Sequence, residues 1–277
     1  MTQITQSMRQ LVAKTVQRAV RVYNPQMSRL DPLRNGAALI IAVMAFVVTF
    51  ATTDVNAQDA APPVPDTIQQ RVAACTSCHG AHGEGSADSV LIPRLAGKPA
   101  GYLLQQLEYF RSGQRQHAPM EYVVRQLSTA YMRRIAEYFS KQDVPYSRQP
   151  VPAVSDETRR RGEQLVRLGD STRGLPSCAS CHGNNLTGVQ PMMPGLLGLS
   201  YGYLSNQLLS WRNHTRAAKG PYCMGVVANR MRESDVEAVA AWLASQPLPN
   251  DTHPAPASAQ TEALPGWCVM GSNGADQ

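Results

Sequence analysis

Two segments of the sequence decide the fold: CTSCH at residues 75–79 and CASCH at residues 178–182. Each is a C-x-x-C-H motif, the attachment signature of c-type haem. Two thiols add across the two porphyrin vinyl groups, and a two-residue gap on a helical turn places both sulfurs along one porphyrin edge. The histidine that follows then reaches the iron as its proximal ligand. We therefore predict two covalently bound haem c groups, held by Cys75, Cys78 and His79 and by Cys178, Cys181 and His182.

Other uses of paired cysteines fit this sequence less well. A zinc site needs four ligands, closed by further cysteines or histidines. The remaining histidines do not recur at matched positions in the two halves of the chain; they are His82, His117, His214 and His253. A redox dithiol would require the strand–helix pattern of a thioredoxin, and the sequence lacks that pattern. Haem attachment is therefore the favoured interpretation.

The sequence after each motif repeats itself. The segment PRLAG at residues 93–97 recurs as PGLLG at residues 194–198, 101 positions later. The segment GYL at residues 101–103 recurs at residues 202–204 with the same offset. The chain therefore contains two copies of one haem-binding unit.

Each copy ends in a segment with helical periodicity of its apolar residues. A candidate cap at Ser128 precedes the first such segment, and Ser234 with Glu237 forms a capping-box pattern in the second. A helix also leads into each motif, the second one starting behind a cap at Ser155. No segment shows the convincing two-residue alternation of a strand. We predict an all-α fold of two small haem domains in tandem.

Composition shifts divide the chain into five segments. Residues 143–154 are rich in proline and separate the two copies, and the residues after Ser245 become rich in proline and alanine. We predict a signal peptide or N-terminal anchor at residues 1–57 and a first haem domain at residues 58–142. A linker at residues 143–154 precedes a second haem domain at residues 155–246, and an extended tail follows at residues 247–277.

The N-terminus has the pattern of an export signal. Arg29 and Arg34 precede a short apolar run, and the small-residue pattern VNA at residues 55–57 follows it. We expect cleavage after Ala57, with Met27 as an alternative initiator. The other interpretation is an uncleaved anchor, although the run is short beside the roughly 20 apolar residues of a membrane span. Both interpretations place the rest of the chain outside the cytoplasm.

The charge distribution of the chain gives no indication of nucleic-acid binding. The formal net charge is +6, and much of it lies in the N-terminal segment. The remainder carries scattered arginines without a basic stripe or a recognisable binding module.

Aromatic residues make up only 6% of the chain. Two small domains with so few aromatics need a bulky apolar cofactor to help fill their cores.

The repeat also selects the second axial ligand of each iron. A haem iron bound by histidine on one face and methionine on the other has no open position, and its reduction potential is raised. We call such an iron closed, and it suits electron transfer. The chain has 11 methionines, and most are expected to fill the core or lie in loops. Met120 and Met224 recur at equivalent places ahead of the last helix of each copy, with three additional residues before the second. We predict that both bind iron from a distal loop.

Cys223 and Cys268 are the two cysteines outside the motifs. Cys223 precedes Met224 and is itself a candidate iron ligand, which would lower the potential of the second haem. The alternative is a disulfide with Cys268, which a leftover pair in an exported protein favours. That bond would pin the tail near Trp267 over the second haem crevice.

Further residues are candidates for the surroundings of the haems. The carbonyl groups of Pro93 and Pro194 are natural acceptors for the second ring N–H of the ligand histidines, unless these prolines only shape turns. Arg111 and Arg212 are candidates either for pairing with haem propionates or for a solvated face. Aromatic side chains expected to pack on the haems are those of Tyr102, Phe110, Tyr203 and Trp211.

These residues resemble class I cytochromes c and, as a tandem pair, the di-haem cytochrome c4 family. The resemblance covers roughly residues 65–246 and rests on both C-x-x-C-H motifs, the PRLAG repeat and the two methionines. It implies His/Met ligation, two haems that face each other across a pseudo-twofold interface, and a periplasmic location, often with membrane association. It also implies service between a quinol-oxidising complex such as a cytochrome bc complex and a terminal oxidase or reductase. Cys223, the tail and the long N-terminus depart from the family pattern.

The favoured function is that of an electron carrier without an enzymatic activity of its own. A haem subunit that accepts electrons from a periplasmic dehydrogenase would have the same residues. The third interpretation is an enzyme, such as a di-haem peroxidase or a thiosulfate-oxidising cytochrome with a cysteine-ligated iron. A matched methionine in both halves argues against an iron that opens, whereas Cys223 leaves a cysteine-ligated enzyme as an open alternative.

Overall fold

The computed structural model describes residues 66–147, 149–150, 152–216, 223–259 and 264–268, which belong to one structural unit. The predicted signal segment, residues 1–57, lies outside the described residues. Within the described part, no helix has the length and apolar character needed to cross a membrane.

Four helices build the first half of the described chain. Helix α1 carries the first motif and is opened by a capping box, in which the Thr67 side chain accepts from the Gln70 N–H. The Ser128 side chain caps the last helix by accepting from the Tyr131 N–H, as the sequence predicts. The four helices are α1 (Ile68–His79), α2 (Ala100–Arg111), α3 (Ala118–Val124) and α4 (Thr129–Ser140).

The second half repeats this order with a break before its motif. Here the first helix ends at Arg167, and the motif lies on a separate short helix, whereas the sequence predicts one helix leading into it. Gly169 and Gly174 take left-handed backbone conformations between the two helices, and Asp170 and Leu175 exchange backbone hydrogen bonds. The helices are α5 (Asp156–Arg167), α6 (Cys178–His182), α7 (Tyr201–Arg212), α8 (Cys223–Arg230) and α9 (Glu233–Ser245), with 3-10 turns at Ser171–Arg173 and Ala257–Ala259.

A small hairpin in the second half holds part of the tail. Strands β1 (Gly188–Val189) and β2 (Met193–Pro194) pair antiparallel, and each has only two residues. The Ala255 N–H donates to the Gly188 carbonyl at 2.9 Å, and the Ala255 carbonyl accepts from Gln190. Such short strands show no alternation in sequence, so the hairpin is not predicted. The mostly helical fold of two domains is confirmed.

The last helix begins at Glu233, one residue before the predicted cap at Ser234. Asp235 sets this boundary, because its carboxylate accepts from the Arg232 N–H at 2.8 Å and closes the first turn. The same carboxylate binds Arg161 at 2.9 Å and Arg173 at 2.6 Å. The predicted Ser234/Glu237 capping box is therefore wrong, because a tertiary ion cluster determines where the helix starts.

Acidification is expected to destabilise the protein through Asp235. Burial by itself raises the pKa of this carboxyl, but the hydrogen bonds from Arg173, the Arg232 N–H and Arg161 outweigh burial and hold the pKa below its usual range. The resulting stability is present above about pH 4 and is lost as pH falls through the native pKa. We expect Asp235→Asn to lower the free energy of unfolding by about 2 kcal/mol near neutral pH and to flatten its decline in acid. Urea unfolding followed at several pH values checks this, and an unchanged slope in the variant would contradict it.

Helices α5 and α9 approach closely at Gly162. A β-carbon built there would lie 2.2 Å from the Ala238 carbonyl oxygen and 2.7 Å from the Trp242 β-carbon. Alanine has a better helix propensity than glycine by about 1 kcal/mol, yet Gly162→Ala must separate the two helices. We expect the variant to lose about 2 kcal/mol of stability in urea unfolding. Arg160→Ala, on the exposed face of the same helix, is the matched control; equal stability of the two variants would refute the packing argument.

The two halves meet through a reciprocal pair of buried arginines. The Arg115 guanidinium donates to Gln106 in its own half and to Gln207 of the other half at 2.8 Å. The Arg216 guanidinium donates to Gln207 in its own half and to Gln106 at 2.9 Å. Arg216 lies 101 positions after Arg115, the same offset as the sequence repeat. The interface is therefore pseudo-twofold symmetric, as the resemblance implies.

Candidate haem sites

The first site is built around His79, at the C-terminus of helix α1. The ring is buried, and its Nδ1 lies 2.9 Å from the Pro93 carbonyl oxygen. A carbonyl oxygen only accepts, so Nδ1 carries the proton and Nε2 keeps its lone pair for a metal. Burial lowers the pKa of His79 and favours the neutral ring that metal ligation requires.

The second site repeats this arrangement in the other half. His182 is buried at the end of helix α6, and its Nδ1 lies 2.7 Å from the Pro194 carbonyl oxygen. Burial lowers the pKa of His182 as well. Each histidine is thus oriented by the proline carbonyl selected in the sequence.

The four motif cysteines lie one helical turn apart in pairs. Cys78 is exposed, while Cys75, Cys178 and Cys181 are partly covered. Burial, followed by the neighbouring Cys78, raises the pKa of Cys75 to about 11. Burial and the neighbouring Cys181 raise the pKa of Cys178 to about 12. Cys75 and Cys178 therefore stay protonated near neutral pH, unlike a reactive redox thiolate.

Met120 and Met224 precede the last helix of each half, as predicted. They lie in helices, however, and not in the predicted distal loops. Met120 belongs to helix α3 and Met224 to helix α8. Pro119 in the first turn of helix α3 is compatible with a helix, because its missing N–H has no partner to lose there. Both methionines are half-buried and line the cavity that also contains the two histidines. The three additional residues of the second copy fall within 217–222, outside the described residues.

One cavity of about 570 Å³ extends through both halves and brings the predicted residues together. Its walls are mostly apolar, and His79, Met120, His182 and Met224 all reach it. Haem is a flat, largely apolar group whose iron can take one axial ligand on each face. Neutral buried imidazoles with an available Nε2, matched methionines and paired thiols at the rim fit this group in each half.

Cys223 and Cys268 form a disulfide in the structure. The bond ties the tail to the start of helix α8, directly before Met224. Trp267 lines the same cavity, and the Arg230 guanidinium lies 4.5 Å from the centre of its ring. A sulfur in a disulfide offers no thiolate to an iron, so Met224 remains the candidate ligand.

Arg111 is exposed, which agrees with the solvated-face alternative, whereas the two tyrosines make contacts that the sequence does not predict. Arg111 does not reach the cavity, since its guanidinium donates to the Leu127 carbonyl and the Thr129 hydroxyl. Tyr102 and Tyr203 line the cavity, and their hydroxyls also accept from the arginine of the opposite half at 3.1 and 3.3 Å. Arg115 and Arg216 are missed by the sequence analysis. Their recurrence at the repeat offset was the available signal.

Both halves of the chain match one protein family. The model of the family described as cytochrome c matches residues 68–145 and 161–247, one match in each half. The chain belongs to the cytochrome c family. Together with its relatives, this makes the protein a di-haem, c4-like cytochrome c, an electron carrier with two covalently bound haem c groups.

The relatives of this cytochrome include thiosulfate dehydrogenase electron acceptors and cytochromes c4. A thiosulfate dehydrogenase electron acceptor of Thiomonas intermedia is 39% identical over 189 residues, which cover 68% of this chain and 82% of the relative. A cytochrome c4 of Pseudomonas aeruginosa is 30% identical over 177 residues, which cover 63% of this chain and 85% of the relative.

Similar solved structures include a thiosulfate dehydrogenase and cytochromes c4. A thiosulfate dehydrogenase of Marichromatium purpuratum superposes with a TM-score of 0.56 at 33% identity and covers 65% of this cytochrome. The match spans only 38% of that solved chain. Reduced cytochrome c4 from Pseudomonas stutzeri superposes with a TM-score of 0.51 at 30% identity, covering 64% of this chain and 95% of that chain.

Proposed function

We propose that this cytochrome accepts electrons from a thiosulfate dehydrogenase in the periplasm and passes them singly to the respiratory chain. The observation that carries the proposal is the pair of matched His/Met sites in one continuous cavity, which suits two closed irons that exchange electrons. The choice of donor is supported by relatives named thiosulfate dehydrogenase electron acceptor, at 39% and 36% identity.

In this proposal each residue of the site holds or shields a haem. Cys75, Cys78, Cys178 and Cys181 attach the two groups, and haem c supplies one-electron iron chemistry. His79 and His182 bind iron through Nε2, with Pro93 and Pro194 fixing the rings. Met120 and Met224 close the opposite faces and leave no position for a substrate. The cytochrome therefore carries electrons without transforming a substrate itself.

The domain boundaries and the location belong to the same proposal. Residues 58–142 and 155–246 form the two haem domains, and residues 1–57 direct export or anchor the chain. Export agrees with the disulfide, because disulfides persist in oxidising compartments. Transient redox partners bind through small surfaces, so a stable complex is not required.

The test is reduction of the purified, haem-loaded cytochrome by thiosulfate and a thiosulfate dehydrogenase catalytic subunit. We expect the visible spectrum to change to that of ferrous haem, with two electrons taken up per chain. Thiosulfate alone and the dehydrogenase alone are the controls. If the mixture left the haems ferric while dithionite reduced them, the choice of donor would be wrong.

A second candidate function is electron transfer from a cytochrome bc complex to a terminal oxidase. The observation that favours it is the match to cytochromes c4 along 85% of the length of the Pseudomonas aeruginosa relative. Quinol with a purified cytochrome bc complex replaces the dehydrogenase in the same assay. The donor that reduces the haems faster at equal concentration identifies the class of the physiological electron donor.

A further inference from the structure

Two buried arginines at the domain interface are related by the pseudo-twofold symmetry of the repeat. Arg115 and Arg216 occupy equivalent positions of the repeat and make mirrored hydrogen bonds across the interface. Whatever electrostatic effect one arginine has on the first half, the other has on the second. Such a pair does not distinguish the two haems.

Lys98 breaks this symmetry. It is only 6% exposed, and the equivalent position of the second half holds the apolar Leu199. The Lys98 Nζ crosses the interface and donates to the Gly195 carbonyl at 2.7 Å. The preceding carbonyl, that of Pro194, accepts from His182. An amine of the first half and the proximal histidine of the second half therefore bind adjacent carbonyl groups.

No described carboxylate forms an ion pair with Lys98. Burial and the charge of Arg94 lower the pKa of Lys98 to about 7. Its side chain lines the same cavity as His182, and its charge acts on that ring.

Among the described residues, Arg94 is the other buried cation without a cationic counterpart, since Gly195 occupies its equivalent position. Its guanidinium donates to the carbonyls of Val144 and Pro145 in the linker and lies 3.8 Å from the Tyr146 ring centre. The negative charges of Glu84 and Asp143 also act on Arg94. Its charge is therefore partly balanced, whereas that of Lys98 is not.

We propose that Lys98, a residue of the first half, tunes the haem of the second half: its ammonium favours the reduced iron there and shifts an electron shared by the two haems toward the second. Reduction removes one positive charge from the iron site. A nearby cation in poorly polarisable surroundings repels the oxidised site more than the reduced one. Electron gain at the second haem balances electron loss at the first, and no further reactant is involved.

The test is a potentiometric titration of the intact two-haem protein with Lys98→Met, at about pH 6 so that the wild-type amine is protonated. We expect the equilibrium constant for electron transfer from the first haem to the second to fall at least threefold, which is about 28 mV at 59 mV per tenfold. A variant without Cys178 and Cys181, which retains the first haem alone, assigns the two potentials.

Three further variants separate charge from packing. Lys98→Arg keeps the charge and is expected to retain the wild-type equilibrium within twofold. Lys98→Gln keeps a hydrogen-bond donor without the charge and is expected to behave like Lys98→Met; it also replaces that variant if methionine prevents haem loading. Lys141→Met removes an exposed charge and is expected to shift neither haem. Equal shifts of the two reduction potentials would overturn the proposal. So would an equilibrium constant between the haems that is unchanged in both Lys98→Met and Lys98→Gln.

Discussion

Replacing Cys178 and Cys181 by serine is expected to halve the haem that remains bound after denaturation. Both thioethers of the second group are lost, while the first motif keeps its own pair of cysteines and its histidine. Haem-dependent peroxidase staining of a denaturing gel and the mass of the intact chain measure this. The expected mass difference from wild type is one haem, after correction for the two serines.

The reciprocal variant makes the test symmetric. Serines at Cys75 and Cys78 are expected to remove the first haem alone, and serines at all four positions to remove both. Cys268→Ser is the matched control, because it removes a cysteine outside the motifs and is expected to leave two haems bound. A full stain in the double-serine variants would show that attachment does not depend on the motifs.

Substituting alanine for Met224 is expected to open the second iron. With one face uncovered, cyanide or carbon monoxide binds to half of the haem, whereas the wild-type protein binds neither. The near-infrared absorption of the Met–iron bond falls by about half, and the one-electron equilibrium constant of that haem falls at least tenfold, or about 59 mV. Visible and near-infrared spectra of the oxidised variant measure these changes.

The first half offers the matching experiment. Met120→Ala is expected to open the first iron in the same way, and Met120→Ala with Met224→Ala to remove the Met–iron absorption entirely. Met132→Leu is the control, since Met132 is a fully buried core residue that the repeat does not select. An unchanged Met–iron absorption in both single variants would rule out these methionines as ligands.

The candidate site was accessible from the sequence because its chemistry is local. Attachment needs two cysteines and a histidine within five residues, so the motif is visible without any fold. The repeat offset then selected Pro93 with Pro194 and Met120 with Met224, which the structure places around one cavity. Duplication supplied the second, independent observation that a single motif lacks.

Helix boundaries were predicted less well. Ser128 caps its helix as expected, because an N-cap acts within its own turn. Helix α9 begins earlier than its sequence pattern indicates, because Asp235 is held by Arg161, 74 residues away in the chain. The break before the second motif depends on hydrogen bonds between Asp170 and Leu175, which local propensity does not specify.

The sequence alone determined that this chain is a tandem, all-α cytochrome with two haem c groups, because covalent attachment and duplication are written in residue type and spacing. Tertiary structure alone decided which side chains connect the two halves. Arg115, Arg216 and Lys98 find their partners about 90 to 110 residues away. Their roles arise only when folding removes water from the interface and leaves each charge to carbonyl, amide or hydroxyl groups of the opposite half.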